Sequence, residues 1–139
     1  MGLHSIMIKS KFIVVKHNAK RAGLHWDIRF KIPNENEWDS FASRKEPLLK
    51  SNEKLMITRT SIHSEKEALL LGKIESGYGA GVLTKDDSGS CDIFVYEPGK
   101  KMAIRFNGSK LKGIYYFINL AHIKKGEKNQ YWFFKGKLP

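Results

Sequence analysis

The chain has one cysteine, Cys91, among 139 residues. It can therefore form no internal disulfide and assemble no cysteine-based zinc cluster, and a reducing, intracellular setting is expected. Acidic residues are also scarce: 14 against 25 Lys and Arg, for a formal charge of +11. That deficit argues against a cationic partner and for a polyanionic one, with nucleic acid first, because clustered cations bind phosphates and release their counterions. A basic surface that only confers solubility is the alternative. No stretch approaches the ~20 apolar residues of a membrane span, and the N-terminal MGLHSIMIKSKF has no secretory apolar core. Gly2 follows Met1, but Ile6 stands where a myristoylation signal has Ser or Thr. These absences predict a soluble protein without membrane contact. With 41% hydrophobic residues, the length suits one domain, residues 1–139.

Short segments rich in β-branched and aromatic residues fill the chain: KFIVVKH, LHWDIRF, WDSFA, KLMITRT, GVLTK, DIFVYE, KMAIRF, GIYYFINL and YWFFK. Turn chemistry separates several of them, at Asp86–Gly89, Glu97–Lys100 and Asn107–Ser109, and predicts hairpins. Such a series is completed most economically as a mainly β fold, a small closed antiparallel barrel of about eight strands, since closure removes unpaired edges. Two short helices are expected. SEKEALLL has a capping box, Ser64 with Glu67, and Gly72 as its stop; HNAKRAG has Asn18 as cap and Gly23 as stop.

LHWDIRF carries the chemistry. At the two-residue period of a strand, His25, Asp27 and Arg29 share one face and Leu24, Trp26, Ile28 and Phe30 the other. An imidazole and a carboxylate two residues apart can close on one ion. His17, at the end of the preceding strand, is the best third ligand, and two imidazoles with one carboxylate make an open site suited to Mn, Fe or Zn. Arg29 beside it suits a phosphoryl oxygen. From this strand alone, the commoner meaning of the alternation is the wet face of a sheet.

Several segments in order resemble the 3′-phosphoesterase domain of the bacterial and archaeal DNA ligase D family, including its stand-alone members. They are Lys16-His17, Leu24-His25-Trp26-Asp27-Ile28-Arg29, Ser40-Phe41-Ala42 with Lys45 and Pro47, Arg59 with His63, Gly72-Lys73-Ile74, Tyr78-Gly79-Ala80-Gly81, Phe106-Asn107-Gly108, Leu111-Lys112-Gly113 and Tyr131-Trp132-Phe133-Phe134-Lys135. The resemblance implies a small β-barrel enzyme dependent on Mn2+, with Zn2+ or Co2+ as other candidate ions. Its activity would be removal of a 3′-terminal ribonucleotide or 3′-phosphate from DNA or an RNA–DNA primer strand to leave a hydroxyl, in DNA repair. It further implies that His17, His25 and Asp27 hold the metal and that Arg29, Arg59, His63 and Lys45 face the phosphate. His63 is the candidate proton donor, and Tyr78 would line the substrate groove.

The chain departs from the family pattern in several places. Ala22-Gly23 extends the loop between the two histidines; Ser61 and Glu67 stand where the family has Glu and Tyr, and Glu46 where it has Gly. These departures point to an outlying stand-alone member, a monomer, with any ligase or polymerase supplied separately. They keep open the alternative of a nucleic-acid-binding barrel with weakened or lost catalysis. Tyr78-Gly79-Ala80-Gly81 lacks a following helix and is expected to be a turn rather than a phosphate cradle. One face of GIYYFINL and YWFFK belongs to the core; the other is a candidate base-stacking surface. His4 and His122 have no ligand-spaced neighbours and are assigned no role.

Overall fold

A computed structural model describes residues 7–77, 79–122, 124 and 127–138. His4, Tyr78 and the side chain of His122 lie outside the described residues. Ten strands follow one another: β1 (Ile8–Ala19), β2 (Gly23–Lys31), β3 (Glu37–Ser43), β4 (Lys54–Arg59), β5 (His63–Ser64), β6 (Gly72–Ile74), β7 (Gly81–Glu97), β8 (Lys101–Asn107), β9 (Lys112–Asn119) and β10 (Gln130–Lys135). The sheet order is β1-β2-β3-β4-β10-β9-β8-β7, and a further pairing of β1 with β7 closes it into an antiparallel barrel of eight long strands. The short β5 and β6 pair with β3 and β7 from outside that circuit.

Alternation along each strand explains the closure. Phe12, Val14, Ile28, Phe30, Phe41, Ile57, Ile104, Phe106, Tyr115, Phe117, Tyr131 and Phe133 pack into one interior cluster, all nearly inaccessible to solvent. Their neighbours in sequence point out. On β1 to β3 that outer side is also buried, because Ile13, Val15 and Trp38 pack with Leu83 and Ala68 in a second cluster. Ala68 belongs to α1 (Glu65–Ala68), whose capping box is formed as expected, with Ser64 Oγ accepting from the Glu67 amide and Glu67 Oε1 from the Ser64 amide. The helix is a single turn: it stops at Ala68, before Gly72, which at φ +104° opens β6 instead.

Two expectations fail locally. HNAKRAG is not helical, because β1 continues through Asn18 and Ala19, paired with both β2 and β7, and only Gly23, at φ +78°, turns the chain. Asp86–Gly89 is not a hairpin. GVLTK and DIFVYE are one strand, β7, kept continuous by its pairing with β1, and Asp86 is an extra residue bulged between the pairs Val14↔Asp87 and Val15↔Lys85. The turn-forming Asp87 is used differently: buried, it accepts the amides of Ser88, Ser109, Lys110 and Leu111 and so pins the loop between β8 and β9. Asp87→Asn turns an amide donor toward at least one of these N–H groups. It is expected to cost about 3 kcal/mol in denaturant unfolding, because hydrogen bonds to a charged acceptor are worth about 1.5–3 kcal/mol each. The turns at Glu97–Lys100 and Asn107–Ser109 lie where expected, between β7 and β8 and between β8 and β9.

Candidate metal and phosphate site

The outer wall of β1 and β2 brings the polar residues of LHWDIRF together with the end of β1. His17 and His25 are direct register partners, with ring centroids 4.8 Å apart. Asp27, one pleat along, places Oδ2 3.9 Å from His17 Nδ1 and Oδ1 3.4 Å from His25 Nε2. All three are at most 8% exposed. The outer strand face is therefore no wet surface; it is the floor of a cavity of about 610 Å3, lined also by Thr60, Ser61, His63, Glu67, Leu70 and Gly79.

What orients the imidazoles is backbone. His17 Nε2 is 3.0 Å from the Gly79 carbonyl oxygen, and His25 Nδ1 is 3.1 Å from that of Gly23. A carbonyl only accepts, so each of these ring nitrogens carries the proton and the opposite nitrogen presents a lone pair. Both lone pairs face Asp27. Neutral imidazole and carboxylate would then meet as acceptor against acceptor, an arrangement that a proton or a cation relieves. The hydrogen bond to Asp27 raises the pKa of His25, so the metal-free site favours a proton there more than an ordinary imidazole does. The donor set also fits a divalent ion: one atom from each residue lies within 4.8 Å of the others. Two ligands of one tetrahedral ion stand about 3.4 Å apart, so the widest pair closes by at most about 1.4 Å on binding.

This competition sets a pH dependence. Because the pKa of His25 lies above 6.5, the proton displaces a metal at higher pH than it would from an ordinary imidazole. Divalent-ion affinity measured calorimetrically is expected to fall roughly tenfold per pH unit below that pKa. The stability of the metal-free protein runs the other way. The His25–Asp27 contribution is full below the unfolded-state pKa and is lost as pH rises through the raised folded value.

Arg29 closes the far side of the floor. Its Nη2 donates to Asp27 Oδ2 at 3.1 Å, and its Nη1 donates to the Ala68 carbonyl at 3.0 Å, at the end of α1. It is 6% exposed, so it both fixes the carboxylate and ties down the end of α1. His63 on β5 lines the same cavity. Burial, and then the neighbouring Arg29 charge, push its pKa below the usual imidazole value, favouring the neutral ring.

Arg59 and Lys45 are not on the cavity wall. Arg59 shares the inward face of β4 with Ile57 and pairs with Phe41; its Nε and Nη2 donate to both carboxylate oxygens of Asp39, each at 2.9 Å. Asp39 is wholly buried and also accepts from the Tyr96 hydroxyl at 2.9 Å. The guanidinium is thus held by Asp39 at the barrel end. Lys45 is exposed beyond β3, its amide and carbonyl held by the Ser43 hydroxyl.

Residues that pattern-reading missed stand in the cavity. Arg44 lines it, donating to the Ala22 carbonyl at 2.5 Å, and Ser40, fully buried, has an Oγ with no partner among the described residues. Ala22-Gly23, the loop extension, proves to supply two carbonyls, one for Arg44 and one for His25. Gly79 does the same for His17, and the amide of the next residue, Ala80, donates to the Gly77 carbonyl. A carbonyl role leaves no side-chain signature.

A family model described as DNA Ligase D 3′-phosphoesterase domain matches residues 15–119, most of the chain. The chain belongs to this family. None of the curated proteins matches it. Membership in the DNA ligase D 3′-phosphoesterase domain family supports a phosphoesterase role in 3′-end processing and a nucleic-acid substrate. The matched span contains every cavity residue discussed above. No helix among the described residues is long and apolar enough to cross a membrane.

Proposed function

We propose that residues 1–139 form one 3′-phosphoesterase domain, a Mn2+-dependent enzyme. It removes a 3′-terminal ribonucleotide or 3′-phosphate from a DNA or RNA–DNA primer strand to leave a hydroxyl for repair. One observation carries this reading: two imidazole lone pairs, each fixed by a backbone carbonyl, converge with the Asp27 carboxylate beside a buried guanidinium. A bound divalent ion at His17, His25 and Asp27 supplies Lewis acidity toward a phosphoryl oxygen and lowers the pKa of water. The chain's own residues do the rest. Arg29 holds Asp27 in place and gives the cavity a fixed positive charge against the charge that develops on the phosphoryl group. His63 gains proton affinity beside the anionic phosphoryl group, takes a proton from solvent and donates it to the leaving oxygen. Arg44 adds a cation at the rim, where Lys45 and Arg59 were expected.

In this reading the protein is a soluble intracellular monomer that hands its product to a separate polymerase or ligase. A second reading, a binding barrel without turnover, draws on Ser61 and Glu67 and on the absence of Arg59 and Lys45 from the cavity wall. One assay separates the two. A labelled primer ending in one ribonucleotide is incubated with Mn2+, Mg2+, Zn2+, Co2+ or chelator and the products are resolved. Metal-dependent shortening or loss of the 3′-phosphate supports the enzyme; salt-sensitive binding with no turnover under any ion supports the binding barrel.

A further inference from the structure

The barrel's outside carries a second surface that the phosphoesterase reading does not use. On β9 and β10 the inward Tyr115, Phe117, Tyr131 and Phe133 fill the core, while Ile118, Tyr116, Trp132 and Phe134 stand half-buried on the outside. Cross-strand pairing puts Lys101, Ile118, Trp132 and Met56 in one row across β8, β9, β10 and β4, three strand spacings or about 14 Å. Met56 is 49% exposed and, with Arg44, lines the cavity mouth, so the row runs into the candidate site.

The charges along this row say what covers it. Lys54 Nζ lies 4.9 Å above the Trp132 ring and Lys101 Nζ 5.6 Å from the Tyr116 ring. Among the described residues neither ammonium is in a salt bridge, and from Lys101 to Met56 the row has no acidic side chain; Glu97, the register partner of Lys101 on β7, bounds it at the end away from the cavity. Tyr116 is backed by the C-terminal segment, its hydroxyl donating to the Lys137 carbonyl at 2.7 Å, which leaves Trp132 as the ring whose outer face meets the flexible Lys54 side chain. A second copy of a chain of charge +11 is a poor cover for a cationic face. A polymer that alternates flat rings with phosphates matches both features.

We propose that this face is a track for single-stranded nucleic acid, on which a base stacks on Trp132 while Lys54 and Lys101 take the flanking phosphates and the 3′ end enters past Met56 and Arg44. The direction of the strand rests on the phosphoesterase reading; the stacking does not.

The test is therefore made on the full chain in chelator, where no turnover occurs. A 5′-labelled oligothymidylate 12-mer and an abasic deoxyribose-phosphate strand of the same length are titrated by fluorescence anisotropy at several salt concentrations. The wild type is expected to prefer thymidylate. Trp132→Ala should weaken thymidylate about tenfold and erase the preference, whereas Trp132→Phe should keep it. Lys54→Gln and Lys101→Gln should each reduce the salt slope by about 0.7. Circular dichroism confirms that the variants fold. Equal binding of both strands by the wild type overturns the proposal, as does a wild-type dimer in sedimentation that Trp132→Ala dissociates. A wild type that shows the stacking preference but releases nothing from a 3′ end with any divalent ion sinks the phosphoesterase reading and supports the track.

Discussion

His25→Ala is expected to abolish Mn2+-stimulated release of a 3′-terminal nucleotide or phosphate. The loss should exceed about a hundredfold, because removing a mere supporting contact to a metal ligand already costs about 10–100-fold. Three features make His25 the decisive position. Its proton-bearing nitrogen is fixed on the Gly23 carbonyl, its free nitrogen is 3.4 Å from Asp27, and its ring faces His17 directly across the strand pair. Yet the side chain lies on the outer wall, away from the sixteen-residue interior cluster. Circular dichroism and the denaturant midpoint should therefore change little, and calorimetry with Mn2+ should show the binding heat lost. A variant that keeps wild-type metal-stimulated turnover removes the basis of the assignment.

Asp39→Asn is expected to reduce stability by about 3 kcal/mol, and to do so whether or not metal is present. Breaking a buried pair by removing one partner costs about 3–5 kcal/mol, and the lower end applies because the Arg59 side chain is 22% exposed. Asp39 accepts from Arg59 twice and from Tyr96 once, joining β3, β4 and β7 at one end of the barrel. The same substitution bears on Arg59. If Arg59 were a phosphate ligand, releasing it from Asp39 would leave the unfolding midpoint unchanged and lower KM. The bidentate pairing predicts a shifted midpoint in urea, an Arg59→Met variant with a similar shift, and KM unaltered for whatever fraction stays folded.

The contrast between Arg29 and Arg59 shows how far pattern-reading reaches. Both arginines lie in family-like segments, and both carry a charge that suits a phosphate. Arg29 could be assigned a face because it shares a strand with His25 and Asp27, and a two-residue period is a local property of the chain. Arg59 could not, because its side depends on the register Phe41↔Arg59 between β3 and β4 and on Asp39 waiting inside. The same limit explains Asp86–Gly89. Its composition favours a turn, but β7 pairs with β1 along the full length of β1, and that long-range ladder overrides local preference.

Composition, strand period and motif order by themselves determined a mainly β barrel, the interior identity of the alternating aromatics, and the trio His17, His25 and Asp27. Each of these follows from covalent neighbours and the fixed pleat of a strand. Only the tertiary structure decided that the trio lies on the outer wall, at the floor of a cavity where Arg29 is tied to the end of α1. It alone revealed that Gly23 and Gly79 carbonyls aim the two imidazoles, and that Trp132 stands in one row with the cavity mouth. Those outcomes depend on barrel closure and on backbone atoms every residue possesses, so no pattern of side chains could announce them.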